Sequence, residues 1–189
     1  MLSITKRQDM DLTVNGEKRA VAARPADTLL YTLREQFGLT GAKPGCENGD
    51  CGACTVNVDG LPVKSCMVLT AEAIGHDVET VEGLRGQPIQ DAFVEHFAFQ
   101  CGYCASGFLM VANALQRQHP NAAEGTMTDW LRSNICRCTG YEEIGEAVRS
   151  VLGRGEQSDE APKQAKKTQR PQPVGSATMH RAGLAEAKR

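Results

Sequence analysis

The sequence predicts an α+β protein in which a small mixed unit, residues 1–84, is followed by an all-helical unit, residues 85–153. Two observations carry this prediction. The spacing of the apolar residues changes after Gly83 from the period of a strand to that of a helix. The eight cysteines form two groups of four, one in each half. With 41% hydrophobic residues in 189, the chain can bury a core in each unit.

Strand and turn signals dominate the first unit. Residues 12–14 are followed by Asn15-Gly16, and residues 55–58 by Asp59-Gly60 and then residues 61–65, so each pattern predicts a hairpin. Residues 78–81 predict a last strand. Between the hairpins we expect one helix that is capped by Asp27 or Thr28 and ended by Gly38. Its apolar face is Leu29, Leu30, Leu33 and Phe37.

Four apolar stripes at helical spacing follow in the second unit. They are Ile89, Phe93 and Phe97; Phe108, Val111, Ala112 and Leu115; Trp130, Leu131 and Ile135; and Ile144, Ala147, Val148, Val151 and Leu152. The second stripe should end near His119-Pro120 and the fourth at Gly153.

Charge is unevenly distributed along the chain. Residues 154–189 carry eight Lys and Arg against four Asp and Glu, which leaves thirteen basic and nineteen acidic side chains in residues 1–153. An acidic body argues against binding to nucleic acid. The basic tail has too few large apolar residues to fold alone, and we expect it to be disordered unless a partner orders it. No signal peptide or membrane-spanning run is visible, so we expect a cytoplasmic protein without membrane insertion.

The cysteines predict metal ligation more strongly than disulfides, because disulfide frameworks belong to exported chains. Cys46, Cys51, Cys54 and Cys66 follow C-x4-C-x2-C and then an eleven-residue gap. This is the plant-type ferredoxin spacing for a [2Fe–2S] cluster, in which a tight loop supplies three thiolates. Gly45, Gly49 and Gly52 allow that loop to wrap closely. Zinc is the alternative, although zinc sites usually combine two short pairs.

The second quartet is less diagnostic by its spacing. Cys101 and Cys104 are separated from Cys136 and Cys138 by 31 residues. Zinc, a redox dithiol and a second cluster all remain open on spacing alone, although ligand pairs at helix ends can converge in a helical bundle.

The motifs "GAKPGCENGDCGACTVNVDG" with "SC", "QCGYCASGFLM" and "NICRCTGY", in this order, closely resemble the iron–sulfur subunit of the molybdenum hydroxylases, the xanthine oxidase family. The resemblance covers residues 10 to 153. It implies an N-terminal β-grasp ferredoxin domain and a C-terminal four-helix domain, each with one [2Fe–2S] cluster. It also implies that Cys46, Cys51, Cys54 and Cys66 hold the outer cluster, and that Cys101, Cys104, Cys136 and Cys138 hold the cluster next to molybdenum.

The resemblance further implies partners. A large subunit would bind molybdopterin, with Gln100 and the region of Cys138 against its pterin, and a flavin or cytochrome subunit would accept the electrons. Two departures from the family pattern stand out: Ala105-Ser106-Gly107 replaces Thr-Pro-Gly, and Pro44 precedes the first cysteine loop. We expect neither to remove a cluster.

The function predicted in this way is electron transfer within a molybdenum hydroxylase complex, with no substrate site on this chain. A freestanding two-cluster ferredoxin and a zinc-stabilised adaptor are the alternatives. Arg137 could pair with a pterin phosphate or with a local carboxylate. The four histidines, at positions 76, 96, 119 and 180, are expected at the surface, and Trp130 in the helical core.

Overall fold

The computed structural model describes residues 5–153, and the expectation for the tail lies outside them. The first half contains the strands β1, Gln8–Val14, β2, Glu17–Ala23, β3, Thr55–Val58, β4, Leu61–Lys64, and β5, Asp77–Glu79. They form one mixed sheet in the order β2-β1-β5-β3-β4. Only the β1 and β5 pair is parallel among the paired strands of this sheet.

Both predicted hairpins are confirmed, including their turns. Asn15 and Gly16 have φ angles of 52° and 78°, and Asp59 and Gly60 have φ angles of 49° and 79°. Positive φ at both central residues twists a two-residue turn to match its strands, which is why Asn-Gly and Asp-Gly sequences occur there. The last strand is shorter than predicted: Val81 lies instead in a 3₁₀ turn, Val81–Gly83.

The predicted helix between the hairpins begins as α1, Leu29–Tyr31, and continues as a π-helical turn, Thr32–Gln36. Thr28 is its N-cap, because its side chain accepts a hydrogen bond from Tyr31 N. Asp27 does not cap the helix and instead binds Arg24. The apolar face of this segment packs into a core with the inner faces of β1, β2 and β3.

Between residue 85 and residue 153, where its description ends, the structure has four helices: α2, Pro88–Glu95, α3, Ala105–Gln118, α4, Glu124–Leu131, and α5, Glu142–Val151. Two predicted core positions are wrong. Phe97 lies beyond the end of α2 with φ 51° and is 81% exposed, and Ile135 lies beyond α4 and is 51% exposed. Both residues follow a helix that ends earlier than the apolar spacing suggested. They keep that spacing in the sequence, but they do not lie on the helix.

The two halves bury separate apolar clusters that share no residue, one under the sheet and one between the helices. They nevertheless pack into one compact unit, with α3 against β3 and β4. The division at residue 84 therefore stays a prediction. Within the described residues, no helix is both long and apolar enough to cross a bilayer.

Candidate metal centres

Three cysteines of the first quartet lie on the loop that leads into β3, and Cys66 follows the end of β4. The loop coils because Gly49 and Gly52 adopt φ angles of 92° and 76°, which side chains other than glycine rarely allow. At Gly45 there is no room for a side chain, because a Cβ atom would lie 2.6 Å from Cys51 Sγ. The β3–β4 hairpin then returns the chain to the loop and places Cys66 beside it.

Within this quartet the strongest thiol–thiol interactions join Cys46 with Cys51 and Cys54 with Cys66. Cys51 N donates to Cys46 Sγ at 3.2 Å. Backbone N–H groups, of Asn48 first and then of Cys51, lower the pKa of Cys46 to about 7. Burial raises the pKa of Cys66 to about 11. One pair is therefore partly exposed and supplied with N–H donors, and the other is buried.

The second quartet comes from two loops of the helical half. Cys101 and Cys104 precede α3, and Cys136 and Cys138 lie between α4 and α5. Their thiols also interact in pairs: Cys101 Sγ and Cys138 Sγ are 3.5 Å apart, and Cys104 interacts with Cys136. The structure thus brings together the two short motifs that the spacing alone left unconnected.

Hydrogen-bond donors also surround the sulfurs of the second quartet. Tyr103 N donates to Cys101 Sγ at 3.5 Å and lowers the pKa of Cys101. Burial raises the pKa of Cys136, but the hydroxyl of Thr139 and its backbone N–H, 3.1 and 3.4 Å from Cys136 Sγ, outweigh burial and lower it. Burial raises the pKa of Cys104 to about 12.

These donor sets fit a two-iron cluster at each site. Each iron of a [2Fe–2S] cluster takes two protein thiolates, and the cluster sulfurs accept N–H hydrogen bonds that tune its potential. Two thiol pairs per site, N–H donors on the sulfurs and the close packing at Gly45 meet these needs. All eight thiols are free. Within residues 5–153, no three His, Cys, Asp or Glu side chains converge as ligands of a single metal ion would.

The two sites touch through backbone and amide groups. Ile135 N donates to Cys51 O at 2.9 Å, and Asn134 Nδ2 donates to Gly52 O at 3.3 Å. Glycine is required on both sides of this contact. A Cβ atom at Gly52 would lie 2.1 Å from Asn134 Oδ1, and one at Gly107 would lie 2.2 Å from Gly52 O. Cys51 and Cys136, one from each quartet, are therefore joined by a single hydrogen bond and one intervening residue.

Sequence reasoning missed Lys64 and Asn134. Lys64 Nζ donates to Asn134 Oδ1 at 2.7 Å, Ser133 O at 2.8 Å and Thr55 Oγ1 at 3.1 Å. Burial lowers the pKa of Lys64, while attraction to the four thiols of the first quartet, to Cys54 most strongly, opposes this shift. The contacts to Ser133 and Asn134 join residues 69 and 70 positions apart, so no local pattern signals them. The only sequence signal was the position of Lys64, two residues before Cys66.

Other predicted residues lie at the surface beside the second quartet. Gln100 is exposed next to Cys101, and its contact with a pterin stays a prediction. Arg137 is exposed and forms no salt bridge within residues 5–153, so of its two suggested partners the local carboxylate is not found there. The exposed aromatic side chains of Phe97, Phe99 and Tyr103 lie close by in the chain.

The remaining predictions concern residues without a site role. His76 is exposed and pairs with Asp59, and His96 lies 3.8 Å from Glu146. His180 lies outside the described residues. Trp130 packs against the helical core, as predicted, and stacks edge-on with His119 at 5.6 Å between ring centroids.

Two protein-family models match the chain in the same order as the two sites. Residues 12–80 match the 2Fe-2S iron-sulfur cluster binding domain, and residues 80–149 match the [2Fe-2S] binding domain. Together they cover both cysteine quartets, and each quartet falls within one of them.

Curated relatives match over most of the chain. The nicotine 6-hydroxylase small subunit of Paenarthrobacter nicotinovorans is 44% identical over 80% of this chain and 94% of that protein. The nicotinate dehydrogenase small FeS subunit of Eubacterium barkeri is 42% identical over 77% of this chain and 95% of that protein.

Solved structures of related proteins resemble this chain in sequence and in fold. Quinoline 2-oxidoreductase from Pseudomonas putida 86 is 40% identical with a TM-score of 0.72, over 76% of this chain and 91% of that chain. The aldehyde oxidoreductase from Desulfovibrio desulfuricans is 38% identical with a TM-score of 0.74, over 77% of this chain but only 17% of that chain. With two [2Fe–2S]-binding domains and such relatives over most of its length, the chain belongs to the family of iron–sulfur small subunits of the molybdenum hydroxylases.

Proposed function

We propose that this chain carries electrons from a molybdenum site on a large partner subunit to a flavin or cytochrome subunit. Cys101, Cys104, Cys136 and Cys138 would hold the cluster that receives the electrons, and Cys46, Cys51, Cys54 and Cys66 would hold the cluster that passes them on. Each cluster, when bound, would accept and release one electron. The protein holds the two clusters close together and sets their potentials.

One observation carries this proposal: the hydrogen bond of 2.9 Å from Ile135 N to Cys51 O. It connects a ligand of one quartet to the residue that precedes a ligand of the other. A chain built only to carry two independent centres has no need for this contact. The glycines at positions 52 and 107 let the two segments approach closely enough to form it.

Exposure supports the proposed direction of transfer. Cys101 and Cys138 are exposed, whereas Cys54 and Cys66 are buried. The second quartet therefore opens outward beside exposed Gln100, and this is the surface that we assign to the molybdopterin of the large subunit. On the other half, Met67 follows Cys66, is 60% exposed, and covers the cysteine loop at Gly49. We assign this surface to the electron acceptor.

The thiol pairs suggest how the irons are shared. Cys46 and Cys51 would bind one iron of the outer cluster, and Cys54 and Cys66 the other. In the cluster next to molybdenum, here called the inner cluster, the pairs would be Cys101 with Cys138 and Cys104 with Cys136.

In fold terms, we assign the mixed sheet and its helical segment to the β-grasp class and the four helices to a cluster-binding domain. A cytoplasmic location is the companion proposal.

The relatives suggest the substrates of the whole complex. They are named for nicotine, nicotinate, quinoline and aldehyde, so we propose that the large subunit hydroxylates an aromatic heterocycle or oxidises an aldehyde. The present chain would not contact that substrate.

Purification of the tagged chain from its native host tests the proposal. We expect a large molybdenum-containing subunit to co-purify, and both clusters of the complex to be reduced when its substrate is added. A chain that purifies alone with both clusters would instead be a freestanding ferredoxin. Zinc in place of iron and acid-labile sulfide would identify an adaptor.

A further inference from the structure

Lys64 is a half-buried cation at the junction of the two sites. It ends β4, two residues before Cys66, and its ammonium reaches across to the loop before Cys136. An ammonium group has three N–H donors. Here each has one acceptor, Thr55 Oγ1, Ser133 O or Asn134 Oδ1, so the group is held in one position.

All three acceptors of Lys64 are uncharged. Within residues 5–153, Lys64 takes part in no salt bridge, although Arg24, Arg117 and Arg149 each pair with a carboxylate. A charge that is partly removed from water is costly unless an opposite charge compensates for it. The compensating charge must therefore come from a group other than a nearby carboxylate.

The first quartet supplies such a charge. Lys64 pairs with Thr55 across β3 and β4, so it lies beside the residue that follows Cys54 and two residues before Cys66, where bound thiolates would attract its ammonium. Two ferric ions, two sulfides and four thiolates carry a net dianionic charge, and reduction by one electron adds one more negative charge. A fixed cation beside this site attracts the reduced form more strongly than the oxidised form.

We propose that Lys64 sets the reduction potential of the outer cluster, making that cluster easier to reduce than it would be without the charge. The inference rests on the proposed function, in which Cys46, Cys51, Cys54 and Cys66 hold that cluster. One electron arrives from the inner cluster, which is oxidised as the outer cluster is reduced. The step moves one electron and needs no proton.

The placement of Lys64 also gives the transfer a direction. The Lys64 ammonium is half-buried and held by three hydrogen bonds, one of them to Thr55, which directly follows Cys54. Arg137, between Cys136 and Cys138, is exposed, so solvent and salt screen its charge. The charge therefore favours the electron on the outer cluster, away from molybdenum. The same side chain holds Ser133 and Asn134 in place, so the tuning charge and the contact between sites are fixed together.

A redox titration of the full chain, followed by spin resonance, tests this role. Lys64→Met removes the charge and keeps the length of the side chain, and Lys64→Arg keeps the charge. Lys43→Met is the matched control, because Lys43 lies three residues before Cys46, as Lys64 lies two residues before Cys66, but its ammonium binds Thr40 O at an exposed position. Solvent and salt screen an exposed charge.

We expect Lys64→Met to lower the ratio of reduced to oxidised outer cluster about tenfold at a fixed potential, which equals a shift of about 59 mV for one electron. The inner cluster should shift much less. Lys64→Arg should restore most of the ratio, and Lys43→Met should change it little. Should Lys64→Met fail to hold iron, the same comparison is made with Lys64→Gln, which keeps an N–H donor but carries no charge.

The inference is overturned if the uncharged variants leave the outer potential unchanged, if Lys64→Arg shifts it as far as Lys64→Met, or if Lys43→Met shifts it equally. Failure of the proposed function looks different, because the unmodified chain would then purify without a molybdenum-containing subunit, or would lack two iron–sulfur signals, before any variant is made.

Discussion

The two cysteine sites are built in different ways. In the half that contains the sheet, which we call the ferredoxin half, three of the four thiols come from one glycine-rich loop of nine residues. The fourth thiol follows the β3–β4 hairpin. In the helical half, two pairs come from loops 31 residues apart, and only the packing of the helices brings them together. The first site is therefore encoded locally, whereas the second depends on tertiary structure.

The sites also differ in their surroundings. The ferredoxin-half site has its buried pair facing the core and a half-buried lysine nearby. The helical-half site has two exposed cysteines, and its nearest donors are a hydroxyl and backbone N–H groups. One site thus lies near a half-buried full charge, whereas the other combines neutral hydrogen bonds with the exposed, solvent-screened charge of Arg137, a contrast that electron transfer between them can exploit.

The largest expected effect comes from removing one ligand from each site. Cys136→Ala should lower the iron content from about four to about two per chain, because each site would hold one two-iron cluster. The outer signal should remain, but substrate should no longer reduce it in the assembled complex. Iron analysis and spin resonance of the reduced protein measure both effects.

Cys51→Ala is the matched control for that experiment. It should also halve the iron, yet substrate should still reduce the inner cluster. If substrate reduces the outer cluster at the normal rate in Cys136→Ala, the proposed order of the clusters is wrong.

The next effect concerns the contact between the sites. Gly107→Ala should lower the free energy of unfolding by about 1–3 kcal/mol, because the added Cβ would lie 2.2 Å from Gly52 O and backbone atoms must move apart. Gly125→Ala, on α4, is the control: nothing lies within 4 Å of its Cβ, and alanine should stabilise the helix by up to about 1 kcal/mol.

Thermal unfolding of the two glycine variants makes the comparison. An unchanged melting temperature in Gly107→Ala would mean that α3 and the cysteine loop can separate freely, which would weaken the proposed route between the clusters.

The sequence predicted well the features that local residues determine, and poorly those that depend on tertiary packing. The hairpins at Asn15 and Asp59 and the loop that ends at Cys54 were predicted correctly, because local turn chemistry determines them. Helix ends were less reliable: the apolar stripes included Phe97 and Ile135, which the structure exposes. The signal was ambiguous because an apolar residue just past a helix has the same spacing as one inside it.

The contacts of Lys64 and Asn134 could not be predicted. They depend on how the helical half packs against the cysteine loop, and no property of either residue alone reveals it. The arrangement of the second quartet was recognised through family resemblance rather than through its spacing, for the same physical reason.

A smaller effect distinguishes the salt bridges of the two halves. Burial alone would raise the pKa of Asp27, but hydrogen bonds from the side chain and backbone N–H of Arg24 outweigh it and lower the pKa. A carboxyl whose pKa is lowered by folding adds stability above its unfolded pKa and loses it as the pH falls through the folded value. Asp27→Asn should therefore cost about 1–2 kcal/mol at neutral pH. The difference should shrink below about pH 4.

Glu124 provides the comparison in the helical half. Arg149 lowers its pKa through a hydrogen bond, but both side chains are about half exposed. Glu124→Gln should therefore change stability by no more than about 0.5 kcal/mol, with the same sign of pH dependence. Melting temperatures between pH 3 and pH 7 measure both variants. Equal losses would show that burial does not separate the two pairs.

The smallest expected effect tests how the inner cluster is tuned. Thr139 Oγ1 donates to Cys136 Sγ at 3.1 Å, and this hydrogen bond favours the more negative, reduced cluster. Thr139→Val removes the hydroxyl and keeps the shape of the side chain, so the inner cluster should become harder to reduce. The shift should be smaller than the tenfold change expected for Lys64→Met, because a neutral donor is weaker than a charged one.

Thr139→Ser is the control, since it keeps the hydroxyl and should retain the potential of the inner cluster. Only the inner signal should move in Thr139→Val, and only the outer signal in Lys64→Met. Because Thr139→Val makes the inner cluster a better electron donor while Lys64→Met makes the outer cluster a poorer acceptor, the two should change the rate of transfer between clusters in opposite directions. A redox titration in which Thr139→Val moves both signals equally would show that the clusters share one electrostatic environment and that the contrast between the two halves does not extend to their potentials.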